Sequence, residues 1–333
     1  MPPGAEFLHR PGGVERLRRD VAFHSVHGDE IAVDILSLFN LLLAFALAPL
    51  LPGIINRTKA AFAGRTGQPL LLPYFDIARL LRKGAVYSTT TTWLFRAGPV
   101  AGLAAPAAAL TVIPALGQPA LISFNGDIFL LACLLGMGRF FTILAALDTG
   151  SSFEGMGASR ETLYAALAEP ALLVGLAALA VVTGELSITG MFAGITGEVF
   201  ARVVPVCALV AVALTLVFLA ENSRIPFDDP ATHLELTMVH EVMVLDHGGP
   251  DLGLIQYGAA LKMWLLGSLV VGVIFPMTGG LYTTVVYVCA MFTMALGTGV
   301  VESIMARFKM PRVPQLLVAA GAASFLAVIL AAR

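Results

Sequence analysis

Residues 203–220, VVPVCALVAVALTLVFLA, form an apolar stretch that contains no charged side chain. A helix needs about 20 such residues, rising 1.5 Å each, to cross the roughly 30 Å hydrocarbon core of a bilayer. Similar windows recur along the chain. The eight predicted spans are Ile31–Ile54, Gly98–Leu116, Ile128–Leu147, Leu163–Val182, Val203–Ala220, Leu261–Phe275, Leu281–Val301 and Val313–Ala332. They lack the alternation of membrane β-strands, so we predict an all-α polytopic membrane protein of about eight transmembrane helices.

The composition agrees with lipid as the surrounding solvent. Hydrophobic residues make up 58% of the 333 residues and charged residues 13%, whereas a soluble domain carries about 25% charged residues. The formal net charge of −2 provides no basic surface for nucleic acid. Cys133, Cys207 and Cys289 are isolated within apolar stretches, a pattern that excludes CxxC-type iron–sulfur, zinc and haem-attachment sites.

Charge placement separates a polar tail from one membrane domain. Residues 1–30 contain four arginines but no apolar core or cleavage site, so we predict a polar tail and not a cleavable signal peptide. Residues 31–333 are predicted to form a single transmembrane domain with long loops at 55–92, 148–162 and 221–260. Lysine and arginine concentrate in the odd-numbered connections, which the positive-inside rule places in the cytoplasm, with both termini outside. We therefore predict a multi-pass protein of the cell (inner) membrane.

Two connections are predicted to contain short interfacial helices. Residues 74–83, YFDIARLLRK, combine apolar and charged side chains in the pattern of an amphipathic helix on a membrane surface. Lipid anchoring and docking of a soluble partner are alternative roles for it. The segment Ser187–Val199 is predicted to form a second such helix on the other side. The residues assigned to partner-docking loops are Arg65, Asp76, Arg79, Glu154 and Glu161.

Charged residues within the predicted spans are candidates for function, because an unpaired ion in lipid costs several kcal/mol. Arg139 lies in the middle of the third span and Glu169 in the middle of the fourth. We expect the two to pair. Alternatively, Arg139 bonds backbone carbonyls and Glu169 is a protonated packing residue. Glu302 lies near a helix end, where its side chain is expected to reach the interface.

The connection after Glu221 has the highest density of titratable groups. Thr232 is predicted to cap a helix that runs to about Leu245, with His233, Thr237, His240 and Glu241 on one face. Crowded carboxylates raise one another's pKa, and hydrated ones can pass protons in short steps. We therefore predict a proton relay, with a solvated acidic loop as the alternative.

Motifs for metal or nucleotide binding are incomplete. The pair His240-Glu241 lacks a second histidine at the position of Val244, which the zinc-protease helix requires. The two Gly-Met-Gly sequences do not follow a strand in a βαβ unit. We therefore expect no cofactor and no metal in this chain, which then moves charge without holding electrons.

The acidic connection also resembles a known family. ENSRIPFDDP, residues 221–230, together with Glu235, is similar to the E-T-N-R-x-P-F-D signature of the quinone-site membrane subunit of respiratory complex I, in the NADH dehydrogenase subunit 1 family. The continuation THLELTMVHE, residues 232–241, looks closer to the homologous subunit of group 4 membrane-bound NiFe hydrogenases, hydrogenase-4 and formate hydrogenlyase. SSFEGMGASRE, residues 151–161, is similar to the family's cytoplasmic loop between the third and fourth helices. The resemblance extends over nearly the whole chain.

The resemblance implies a subunit at the junction of a peripheral arm and a membrane arm. Its expected partners are a NiFe-hydrogenase-like large subunit and iron–sulfur subunits, which would hold the NiFe centre and the clusters, together with antiporter-like membrane subunits and the lipid bilayer. The expected function is redox-driven translocation of H⁺ or Na⁺. The proposed proton-path residues are Glu169, Glu221, Asp228, Asp229, Glu235 and Glu241, and their charge partners are Arg139, Arg160, Arg224, His233 and His240.

One departure from the respiratory subunits affects the expected ligand. After P-F-D this sequence has Ala231 and His233, and Met243 holds the place of a glutamate. A quinone chamber of the respiratory type is therefore not expected, which agrees with hydrogenase-type complexes. Two alternatives are a quinone-reducing respiratory subunit and a stand-alone proton-coupled secondary transporter, although we find no internal repeat of the kind that many transporters show.

Overall fold

The computed structural model describes residues 35–115, 118–195, 197–228, 239–275 and 281–333, apart from the side chains of Glu198 and Leu281. These residues form eleven α-helices and three short 3-10 helices. The α-helices are α1 Ile35–Leu47, α2 Leu50–Phe62, α3 Leu72–Leu81, α4 Trp93–Ala109, α5 Asp127–Asp148, α6 Ser152–Thr183, α7 Ile188–Gly194, α8 Gly197–Glu221, α9 Pro250–Ile274, α10 Leu281–Ile304 and α11 Val313–Ala331. The 3-10 helices are Leu110–Val112, Glu241–Val244 and Met310–Arg312.

The predicted helical membrane bundle is confirmed. Seven of the described helices are long and apolar enough to cross a membrane, and the bent pair formed by α1 and α2 makes up to eight. The first predicted span, Ile31–Ile54, is divided within the described residues, because α1 ends at Leu47 and α2 starts after Pro49 at an angle of 44°. Proline lacks the N–H that would continue the helical hydrogen bonds.

Two predicted loops are shorter than the sequence pattern indicated. The predicted loop 148–162 is wrong in most of its length, since α6 starts at Ser152 and only residues 149–151 connect it to α5. The predicted loop 221–260 ends at Gly249, whose φ of 55° leads into Pro250 at the first turn of α9. Glycine tolerates this φ without strain. The polar residues of these two first turns caused the error.

Two predicted short helices differ from the structure and one agrees. The helix predicted to run from Thr232 to about Leu245 falls partly outside the described residues, and its described end, Glu241–Val244, is a 3-10 helix. The segment Ser187–Val199 contains α7, but Ile188 and Met191 are fully buried, so it packs into the bundle. The amphipathic helix predicted at residues 74–83 is confirmed as α3, and none of its residues is buried.

Apolar packing holds the long helices together. Helix α6 packs against α8 and α11, while α4 packs between α5 and α9. The closest approach of α4 and α9 is at Gly258, where an added Cβ would lie 2.5 Å from the carbonyl oxygen of Gly102. Small residues permit such contacts between membrane helices, where dispersion replaces the hydrophobic effect as the driving force.

The polar connections meet at one end of the bundle, which we call the charged end. Helix α3 packs on α9, and Asp246 donates its backbone N–H to Glu154 at the start of α6 over 3.2 Å. Thr92, which caps α4, donates its backbone N–H and its hydroxyl to Asp148 at the end of α5. The loops that are predicted to contact a soluble partner thus lie together. That this end faces the cytoplasm stays a prediction.

Candidate functional site: a buried ion-pair network

Arg139 on α5 is the centre of the site. Its side chain is 10% exposed and its guanidinium contacts three carboxylates. Nη1 donates to Glu169 on α6, and Nη2 lies 2.6 Å from both carboxylate oxygens of Glu221 at the end of α8. Nε lies 3.4 Å from Glu161, also on α6. The pair of Arg139 and Glu169 expected from the sequence is confirmed, and one cation joins three helices.

Lys262 on α9 extends this network to a fourth helix. Its Nζ lies 3.4 Å from Oε2 of Glu221, so that carboxylate contacts two cations. With Arg139, Lys262 and three glutamates, the network carries a formal charge of −1. Lys262 was not predicted as a site residue. Its position in the apolar segment GAALKMWLLG is the signal that identifies it, because a lysine in a span requires a partner.

A second cluster lies around Glu302 on α10. The Glu302 side chain is fully buried and lies 2.9 Å from Nζ of Lys59 and 3.4 Å from Nη1 of Arg224. The expectation that Glu302 reaches the interface is therefore wrong. Two cations from other segments satisfy its charge inside the bundle, which removes the reason to extend toward water.

Asp228, four residues after Arg224 of this second cluster, contacts the segment that begins at Val239. Its Oδ1 lies 2.8 Å from Nη2 of Arg307, and Oδ2 accepts the backbone N–H of Val239 over 3.0 Å. Both carboxylate oxygens therefore contact donors. Lys59 and Arg307 were not predicted as site residues, because both lie outside the charged motif of residues 221–241.

His240 lies next to the Arg139 network. Burial lowers its pKa, although Glu161, Asp228 and Glu221 act in the opposite direction. Its Nδ1 has no hydrogen-bond partner among the residues that the structure describes. Burial likewise lowers the pKa of His247, whose ring stacks on Phe95 with centroids 3.9 Å apart. Both imidazoles are therefore held in the neutral form more strongly than in water.

Cavities of different sizes border the Arg139 network. A cavity of about 540 Å³, which we call the large cavity, lies at the charged end between α2, α3, α9 and residues 221–228 and 240–247. A smaller one of about 70 Å³ lies beside Arg139. Glu221, His240 and Lys262 line both cavities. The network thus lies between these two cavities, in a position where water can hydrate its charged groups.

The predicted docking residues divide into two groups. Arg65 and Arg79 are exposed, and Arg79 forms a surface pair with Asp76 at 3.8 Å. Glu154 is 1% exposed and Glu161 belongs to the Arg139 network. The prediction that these two glutamates lie in an exposed docking loop is wrong, because the helix that contains them starts at Ser152 and turns them inward.

The remaining predicted residues have different positions. Arg160 approaches Sδ of Met156 over 2.8 Å, and Glu241 lines the large cavity. Asp229, His233 and Glu235 lie outside the described residues. Among the residues that are described, no group of three or more His, Cys, Asp or Glu side chains is arranged to hold a metal ion.

Comparison with known proteins agrees with this architecture. Formate hydrogenlyase subunit 4 of Escherichia coli (strain K12) is 30% identical over 302 residues, which cover 88% of this chain and 96% of that protein. Hydrogenase-4 component C of the same organism is 30% identical over 242 residues, covering 73% and 75%. A chain from the structure of the membrane-bound sulfane sulfur reductase, an archaeal respiratory membrane complex, superposes with a TM-score of 0.76 at 22% identity. That match covers 90% of this chain and 100% of that chain, and it shows a shared fold.

The match to a protein family identifies the class. The family described as NADH dehydrogenase matches residues 34–332, so the chain belongs to this family, in its subunit 1 branch. It is a membrane subunit of the complex I-like and membrane-bound hydrogenase type. The predicted similarity to the hydrogenase-type subunits is confirmed. The alternative of a stand-alone transporter loses its support.

Proposed function

We propose that this chain is the ion-path subunit that joins a peripheral, NiFe-hydrogenase-like arm to the membrane arm of a redox-driven complex. In this role it anchors the peripheral arm and moves H⁺ or Na⁺ through its buried carboxylates. The electrons stay in partner subunits, which hold the NiFe centre and iron–sulfur clusters. The proposal adopts for this chain the roles that the names of its hydrogenase relatives suggest.

One observation carries the proposal: Arg139 and Lys262 bind three carboxylates in a connected network at the edge of a cavity of about 540 Å³. Such an arrangement suits ion transfer because Glu221 contacts two cations and Arg139 is shared by three carboxylates. A proton that arrives at Glu221 weakens its contacts with both cations, and Arg139 then interacts more strongly with Glu161 and Glu169. A charge that enters from the cavity thus changes the interactions of Arg139 with the two glutamates on α6, without large movements of the helices.

The charged end supplies the surface for the peripheral arm. Helix α3 presents exposed apolar and basic side chains, including Phe75 at 61% exposure, next to Arg65 and Arg79. The exposed residues Gln68 and Leu245 line the large cavity at the same end, so the cavity opens there. We propose that the peripheral arm covers this opening, so that redox events occur next to the entrance of the ion path. Glu235 stays a proposed member of that path.

The test separates ion movement from redox turnover. The complex is reconstituted in sealed vesicles, and the redox rate and the pH gradient are measured together, with and without Na⁺. Glu169→Gln keeps the size and hydrogen bonding of the side chain but removes its titration. We expect assembly and turnover to persist while the gradient per turnover collapses, and the same for Glu235→Gln.

A matched control is Glu185→Gln, an exposed glutamate in the connection between α6 and α7 at the opposite end from Lys59 and Arg224. This variant should build the normal gradient. If Glu169→Gln and Glu235→Gln also build a full gradient at wild-type turnover, these carboxylates are structural and the ion-path assignment is wrong.

The size of the large cavity favours a second candidate function, that of a quinone-site subunit. Small-molecule sites typically measure about 300–1,000 Å³, and the large cavity of about 540 Å³ falls within this range. The two functions differ in their electron acceptor. Turnover that depends on added quinone and is inhibited by quinone analogues would favour the respiratory alternative, whereas turnover that ignores both would favour the hydrogenase type.

A further inference from the structure

A second polar region lies at the opposite end of the bundle from the Arg139 network. It is formed by the start of α1, the last turns of α9 and the first turns of α10. On α10, Tyr287 precedes Glu302 of the charged end by 15 residues, which corresponds to about 22 Å of helix. The two polar regions therefore lie on different levels of the membrane.

A small cavity in this region contains an unsatisfied amide. Asn40 on α1 is 6% exposed, and neither Nδ2 nor Oδ1 has a hydrogen-bond partner within the described part of the chain. Its side chain lines a cavity of about 20 Å³ together with Ser268 and Tyr287. A cavity needs about 10–15 Å³ and two to four polar partners to hold one water molecule. The volume and the polar atoms meet both conditions.

The small cavity adjoins a larger one. Ser268 and Tyr287, whose hydroxyl groups are hydrogen-bonded to each other, line both the small cavity and a space of about 240 Å³ between α7, α9 and α10. Thr189 adds a further hydroxyl to the larger space. Polar atoms thus continue from Asn40 through the hydroxyl pair into a volume large enough for several water molecules.

We propose that these two cavities form a water-filled vestibule that admits water and small hydrophilic solutes from the side of the membrane opposite the charged end. Water donates to and accepts from Asn40 and satisfies an amide that would otherwise be buried at a cost. This proposal does not depend on the redox partners or on the electron acceptor. It assigns a solvent site to a part of the chain that the proposed function does not use.

Only a short stretch of α9 separates the vestibule from the Arg139 network. Ser268 follows Lys262 by six residues on α9, about 9 Å along the helix, compared with a hydrocarbon core of roughly 30 Å. The side chains of Trp264, Leu265 and Leu266 on the intervening turns are buried in the core. These three residues separate the vestibule from the Arg139 network, so that the two hydrated regions approach each other without joining.

Thiol labelling tests the vestibule directly. The full chain, in membranes, carries Ser268→Cys in a background in which Cys133, Cys207 and Cys289 are replaced by alanine. The probe is a small cationic methanethiosulfonate reagent added to one side at a time. The matched control is Ser324→Cys, because Ser324 is fully buried between α11 and α6 and donates to the carbonyl of Ala171. Labelling requires an accessible thiolate.

We expect Ser268→Cys to react at least about tenfold faster than Ser324→Cys, and only from the side opposite Arg65. Thr189→Cys, on the larger space, provides the same comparison if Ser268→Cys does not accumulate. Equal rates for the cavity and control positions would overturn the proposal. It would also be overturned by labelling with membrane-permeant N-ethylmaleimide but not with the cationic reagent, since the cavity would then hold lipid instead of water.

Discussion

Replacing Arg139 with methionine is expected to lower the free energy of unfolding by about 3–5 kcal/mol, the range for removing one partner from a buried ion pair. Methionine keeps much of the length of the side chain but none of its charge. The network then contains one cation and three carboxylates, so its formal charge changes from −1 to −2. The cost falls mainly on Glu221 and Glu161, whose side chains are 9% and 12% exposed. Glu169 also loses its cation, and because it lies within a membrane-spanning helix its 40% exposed side chain is not screened as it would be in water.

A cysteine of the chain, Cys207, can report unfolding in this measurement. Cys207 on α8 is 3% exposed and becomes accessible on unfolding, whereas Cys133 and Cys289 are already exposed. With the latter two replaced by serine, the reaction of Cys207 with a fluorogenic thiol reagent follows denaturation in detergent. The control is Arg79→Met, which removes a cation that is 68% exposed and should cost about 0–1 kcal/mol.

A double variant gives this prediction a second condition. Adding Glu221→Gln to Arg139→Met removes the buried carboxylate that lost its main partner, and stability should recover by about 0.5–3 kcal/mol, the usual range for coupled neighbours. The reasoning fails if Arg139→Met costs no more than Arg79→Met. It also fails if the double variant is no more stable than Arg139→Met alone, since the lost stability would then come from packing and not from charge.

Three further predictions concern other parts of the molecule. Glu302→Gln should lower stability more than Asp76→Asn in the same thiol assay, because it leaves two cations around a neutral amide at a fully buried position. Burial lowers the pKa of His247, so the unfolded chain binds protons more readily than the folded one. The stability of the fold should therefore decrease as the pH drops below about 6.5. In stability measurements from pH 5 to 8, His247→Phe should reduce this pH dependence. Cysteines placed at Arg65 and Glu185 should react with impermeant reagents from opposite sides of the membrane, with Arg65 on the cytoplasmic side.

The sequence predicted the fold more completely than the site. Long apolar windows are sufficient to locate membrane helices, since a helix is the way a single span satisfies its backbone in lipid. The start of α6 was missed because Glu154, Arg160 and Glu161 suggest a solvated loop. Hydropathy averages over neighbours in sequence and contains no information about Arg139, which contacts Glu161 from another helix.

Ion pairs between individual side chains were likewise only partly predictable from the sequence. Arg139 and Glu169 were paired correctly because each is a lone charge in the middle of a span. Lys59 and Glu302 lie near helix ends, where a route to water is usually available, and only the packing of α10 against α2 shows that their charges meet inside. Pairing of this kind depends on which helices are neighbours, and a single sequence does not determine that.

The free-energy cost of burying the charged groups of the Arg139 network is relevant to the role of the network. Apolar side chains of similar volume often replace a buried ion pair without loss of stability, and the helices of this bundle already pack through apolar surfaces such as those around Leu176 and Leu269. Arg139, Glu221 and Lys262 are therefore not required to hold α5, α8 and α9 together. What an apolar replacement cannot supply is a cation shared by three carboxylates next to a cavity of about 540 Å³. The proposed ion path accounts for this arrangement, whereas the stability of the fold does not require it.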